Sequence, residues 1–128
     1  MANVTTGTVA DALAGTLITD ATANGTSELD VFGGASTVYA VEIDNTANAS
    51  QVNYLKAANA TSGTSSGVKA NSVFYAPAGE KVTYVCDTGT TYGTGVTFWV
   101  TQTQASFDGS TETQNNPSGT VIAKLLGT

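Results

Sequence analysis

The sequence contains no histidine and no arginine, and only one cysteine, one methionine, one tryptophan and two prolines among its 128 residues. Without histidine there is no proton shuttle for a Ser-His-Asp or Cys-His mechanism and no imidazole to bind a metal. The single cysteine, Cys86, excludes an internal disulfide and a thiolate cluster. Charged residues are 11% of the chain, less than half the usual share of about 25%. Four lysines against ten acidic residues leave a net charge of -6. That is the wrong sign for holding phosphate backbones, so no nucleic-acid partner is expected. No segment approaches the roughly 18 apolar residues of a membrane-spanning helix, so no membrane partner is expected. Residues 1–6 carry neither positive charge nor an apolar run, which predicts no secretion signal and synthesis in a cytoplasm. No cofactor motif is visible. The composition therefore favours a binding or building module over an enzyme.

What fills the gap is Thr, Ala, Gly, Ser and Asn, with 41% hydrophobic residues, enough for a modest core in one domain. Helix signals are poor, because Thr is a weak helix former and Gly breaks helix interiors; the best candidate, Asp11–Ala14, is cut short by Gly15. Strand signals recur. Thr37–Asp44 alternates, with Tyr39, Val41 and Ile43 on one side and Ala40, Glu42 and Asp44 on the other. Gln51–Ala57, Asn71–Tyr75, Lys81–Cys86, Gly95–Thr103 and Thr120–Leu126 read as further strands, preceded by Thr16–Asp20 and Glu28–Phe32. Asn24-Gly25 and Pro77-Ala78-Gly79-Glu80 supply turns, and Asn45–Ser50 and Ala60–Gly67 are polar loops. Seven or eight short strands predict an all-β chain forming a single antiparallel β-sandwich, Ig-like or jelly-roll-like. The domain spans residues 1–128, with an extended N-terminal arm over 1–10 and a polar loop over 106–118.

Val38–Asn48 followed by Val52-Asn53-Tyr54-Leu55-Lys56, then Ala76-Pro77-Ala78-Gly79 before a strand and Gly93–Phe98 opening the next, form an ordered set of short motifs. This order resembles small β-sandwich virion structural proteins of tailed bacteriophages, of the capsid decoration or cement type. The resemblance covers residues 36–104. It departs at Lys56-Ala57-Ala58, where larger apolar residues are expected, and at Cys86-Asp87-Thr88-Gly89. It implies a place in a particle, with the major capsid protein or other virion proteins as partners, and carries over no catalytic residue.

Several clusters invite a chemical reading and a structural one. Glu42, Asp44, Asn45 and Asn48 offer oxygen ligands for calcium, but the twelve-residue loop with its terminal Glu is absent, and Asx side chains bonding their own backbone account for the same residues. Asp20, Glu28 and Asp30 are carboxylates of the kind a glycosidase pairs, or solvated charges at strand ends. Gly89–Gly95 lacks the Gly-Lys-Ser/Thr ending of a phosphate loop and reads as a hairpin or loop. Cys86 alternates with Val82 and Tyr84 and is expected in the core as a small apolar residue. Sequons at Asn3, Asn24, Asn48 and Asn59 read as accidents of composition where no secretion signal stands.

Contact residues are sought among the aromatics and the terminal strands. Trp99, Tyr92 and Tyr75 are a possible platform; Trp99 points outward if Phe98 is core, or is covered if its strand is central. Asn3–Val9 and Thr120–Leu126, with Val4, Val9, Val121 and Leu125 as their apolar members, are expected to be free to pair with neighbours. The expected function is capsid decoration or cementing by a homo-oligomer, trimer or dimer, located in the virion. The alternative is a tail, neck or fibre component, or a glycan-binding module using Trp99 and Tyr92. No metal, cofactor or catalytic residue is expected.

Overall fold

Threonine and the branched and aromatic residues that alternate with it favour extended backbone, where their side chains pack on a pleated surface. In the computed structural model the chain follows that preference. The structure describes residues 4–8, 15–62, 70–103 and 115–128. Among these, eight strands follow in order: β1 (Val4–Thr8), β2 (Thr16–Asp20), β3 (Ser36–Asp44), β4 (Asn53–Asn59), β5 (Ser72–Ala76), β6 (Lys81–Tyr92), β7 (Val96–Thr101) and β8 (Ile122–Gly127). There is no helix among the described residues. The helical candidate Asp11–Ala14 and residue Val9 lie outside them, as do residues 106–114 of the expected polar loop.

All strand pairs are antiparallel. One sheet has the order β1-β2-β8-β3-β6 and the other β5-β4-β7. The two sheets pack as a β-sandwich around a core that includes Ile18, Val41, Ile43, Leu55, Phe98, Val100 and Leu125. Register explains the core. Leu125 of β8 is paired with Ile18 on one side and Val41 on the other, and Ala123 with Asp20 and Ile43, so one inward row crosses three strands. Burying each large aliphatic side chain contributes about 1.5–3 kcal/mol.

Two expectations change here. Residues 4–8 of the presumed arm are a sheet strand, paired from Val4↔Asp20 to Thr8↔Thr16. Glu28–Phe32 is not a full strand: Glu28 makes an isolated bridge to Phe98, flanked by bonds from Val100 N to Asn24 O and from Val31 N to Val96 O. This segment seals the outer edge of β7.

The phase of β3 also shifts. Val38 pairs with Gly127 and Ala40 with Leu126, so Tyr39 has no opposite residue on β8. Such a bulge turns the following residues over. Val38, Val41 and Ile43 are consequently buried, while Tyr39 is only half-buried. On the other side Val38 pairs with Thr90 and Ala40 with Val85, which leaves Cys86, Asp87, Thr88 and Gly89 of β6 as a wide bulge. Gly89 makes it possible. Its φ is 76°, and a Cβ there would lie 2.2 Å from Thr37 Cγ2 and 2.9 Å from Tyr39 Cε1.

Candidate functional site

Burial sorts the expected contact residues first. Trp99 is 1% exposed, Tyr92 2%, Val121 0% and Leu125 1%. These four are interior, which corrects their assignment to a contact surface. Trp99 lies on β7, all of whose residues are buried, so the strand is covered on both faces. Tyr92 turns inward and its hydroxyl donates to Ser72 Oγ at 2.9 Å. Val121 leads into β8 and Leu125 lies on it, and β8 has neighbours on both sides, so this terminal strand is not free to pair outward. Tyr75 is 45% exposed, and Val4 is half-buried on β1, which ends its sheet.

The second margin of that sheet is β6, and it lies beside β5, a margin of the other sheet. Tyr84 joins them: its hydroxyl donates to the Tyr75 carbonyl at 2.5 Å, and its ring packs on Phe74 with centroids 5.4 Å apart. Next to this bridge the β6 bulge opens an apolar cleft of about 140 Å³, lined among others by Val38, Tyr39, Phe74, Tyr84, Val85 and Cys86. Val85 is 72% exposed and Cys86 is exposed. The expected core position of Cys86 is therefore corrected. Alternation carries Val82 and Tyr84 inward, and the register then breaks after Val85, so the next residue of the row is thrown out with the bulge.

The Asx-rich loop is an internal knot. Asn45 is fully buried; its Nδ2 donates to the carbonyls of Gln51 and Pro77, each at 2.9 Å, and its Oδ1 accepts from Asn48 Nδ2 at 2.9 Å and Asn53 Nδ2 at 2.8 Å. Asn48 Oδ1 accepts from Gly119 N at 2.6 Å. The Asp44 carboxylate accepts the hydroxyl and amide of Thr46, which hold its pKa below the ordinary value. These oxygens are committed to their own chain, as the structural reading of the loop expects. Among the described residues, no three His, Cys, Asp or Glu converge to hold a metal ion.

Of the three carboxylates, Asp20 is buried and accepts from Thr22 N at 3.0 Å; burial raises its pKa, with the Thr22 bond opposing. Glu28 is raised by burial and then by the charge of Asp20. Asp30 instead caps a turn, accepting from Gly34 N at 2.7 Å. In the glycine-rich segment, β6 continues to Tyr92 and the amides of Thr94 and Gly95 donate to Asn59 Oδ1 at 2.7 and 3.3 Å, which leaves no cradle for a phosphate at those two groups.

The sequence places Asn53 and Lys56 in a strand motif and marks Lys56 as standing where a larger apolar residue is expected, without announcing that either polar side chain is buried. Both are 0% exposed on β4. Their burial follows from non-local pairing, Lys56 opposite Trp99 and Val73, which no local pattern announces. No family model, curated protein or solved structure matches this chain. No helix among the described residues is long and apolar enough to cross a membrane.

Proposed function

We propose that this chain is a virion structural protein of a tailed bacteriophage, which decorates or cements the capsid shell by protein contacts and performs no catalysis. The observation that carries the reading is strand β1. It ends the five-stranded sheet, is uncharged from Val4 to Thr8, and exposes Thr5, Thr6 and Gly7. An uncharged margin strand offers a row of backbone donors and acceptors to a strand from another protein. With β8 enclosed, β1 is the terminal strand that remains available for the shell. The acidic balance, net -6, disfavours adhesion to packaged DNA. Many copies on a lattice convert modest single contacts into firm attachment.

The test is purified virions examined by gel stoichiometry and by imaging with this chain located. Hundreds of copies on the shell support the reading; a dozen or fewer, at the neck or tail, overturn it. In reconstitution, deleting residues 1–8, or placing lysines at Thr5 and Thr6 in an otherwise intact chain, abolishes particle binding while the domain stays folded. Full binding by the folded lysine variant refutes the role given to β1.

A further inference from the structure

An antiparallel sheet with one face in solvent carries apolar residues inward and polar ones outward. The outer face of the five-stranded sheet breaks that rule along one row. Ile18, Val41 and Leu125 are buried, so their chain neighbours Leu17, Ala40 and Leu126 turn outward. Register sets these side by side. Gly7 pairs with Leu17, Leu17 with Leu126, Leu126 with Ala40 and Ala40 with Val85, so a row without a polar side chain crosses all five strands. Val85 is 72% exposed, and Leu17, Leu126 and Ala40 each keep part of their surface in solvent. The next outward row reads Thr5, Thr19, Lys124, Glu42 and Thr83 in the same strand order. Its Lys124 and Glu42 form an ion pair with an N–O distance of 3.8 Å.

We propose that two copies of this chain form a two-fold dimer by packing the outer faces of their five-stranded sheets together, with the axis running along the strands midway between β8 and β3. Sheets packed face to face lie about 10 Å apart with their strands aligned to within about 30°. An axis in that place exchanges β8 with β3 and β2 with β6. Leu126 then meets Ala40 of the second copy, and Leu17 meets its Val85, so the apolar row is covered by its own counterpart. In the next row Lys124 meets Glu42 of the second copy, Glu42 meets its Lys124, and Thr19 meets Thr83. The two ion pairs become one square of alternating sign. Charge fixes the axis. Placed on β8 it sets Lys124 against Lys124, and placed on β3 it sets Glu42 against Glu42; like charges facing across an interface are costly. Moved one strand spacing in either direction, it leaves Glu42 facing a threonine. In the third outward row Asp44 meets Ile122 at the rim, where the carboxylate keeps its bonds to Thr46. The interface is isologous, so it closes at two. This dimer does not depend on the virion reading, because β1 has no counterpart across the axis and stays outside the contact.

Sedimentation of the full chain over a concentration series tests it, with circular dichroism melts verifying that each variant folds. The wild type is expected to pass from monomer to dimer. E42K and K124E each set like charges against one another twice across the axis, and are expected to move the midpoint to about tenfold higher concentration or beyond. The double variant E42K/K124E restores both pairs and is expected to return near the wild type. L126K, in the middle of the apolar row, is expected to abolish the dimer. T5K/T6K, on β1, is expected to leave it intact. A monomer at every concentration, a trimer, single charge variants that dimerise like the wild type, failure of the double variant to recover, an L126K dimer, or loss of the dimer in T5K/T6K each overturns the proposal. So does a monomer whose binding to particles is lost in L126K, since the face then belongs to a shell protein.

Discussion

The Tyr84 hydroxyl donates to the main-chain carbonyl of Tyr75, tying the margin strand of one sheet to the margin strand of the other. Side-chain bridges of this kind hold the side of the sandwich where no ladder hydrogen bond can reach, since β5 and β6 belong to different sheets. Tyr84→Phe keeps the packing on Phe74 and removes the bridge. The expected loss is about 1 kcal/mol, seen as a lower denaturation midpoint with an unchanged slope.

Asn45 gathers three segments into one knot: the turn after β3, the Pro77 turn after β5, and, through Asn48, the Gly119 approach to β8. Asn45→Ala leaves the amides of Asn48 and Asn53 without their shared acceptor and takes the Asn45 donor from the Gln51 and Pro77 carbonyls, of which Pro77 keeps the Glu80 amide. Unpaired buried polar groups are costly, and a destabilisation of about 3 kcal/mol or more is expected in urea titration. Asn45→Asp is expected to be no better, because a carboxylate cannot donate to Gln51 and Pro77.

Gly89→Ala combines an unfavourable positive φ with a collision against Thr37 and Tyr39. A loss of about 3 kcal/mol is expected. The partner variant Thr37→Ala removes the closest contact. The double variant is expected to recover part of the loss and not all of it, since the backbone strain persists; thermal melts of the three variants measure the split.

Burial raises the Asp20 pKa, so the folded state holds that proton more tightly than the unfolded chain does. Stability from this group is therefore greatest in acid, declines as pH climbs from the ordinary carboxylate range through the raised value, and stays lower at neutral pH. Asp20→Asn retains an oxygen acceptor for the Thr22 amide and removes the charge. A higher Tm than wild type at neutral pH is expected, with the gap closing in acid. The Glu28 titration, raised in part by Asp20, is expected to move down in the same variant.

The sandwich was legible in the alternation of Thr with apolar residues, because burial of one sheet face imposes a period of two on each strand. The Pro77–Glu80 turn was legible too, since Gly79 at φ 72° does what a glycine in that place is suited to do. The Asx character of Asn45 and Asn48 is legible in kind, while no local pattern marks Asn45 as fully buried. Alternation misplaced Tyr39 and Cys86 because bulges break phase without a local mark; Gly89 was the one clue to the second. The interior positions of Trp99, Val121 and Leu125 depend on which strands lie beside β7 and β8. Those pairings join residues as far apart as Ile18 and Leu125, and nothing in a short window encodes them.

The place of β8 has a consequence for how the molecule assembles. The hairpin of β1 and β2 and the pair of β3 and β6 share no ladder with each other; among the described residues β8 is the strand that pairs with both, helped by its flanking residues Val121, bonded to Ala23, and Thr128, bonded to Thr37. During synthesis those two halves must wait, each with an unsatisfied apolar row, until the last strand slides between them. A chain cut before Ile122 would leave two unjoined flaps, a natural substrate for proteases.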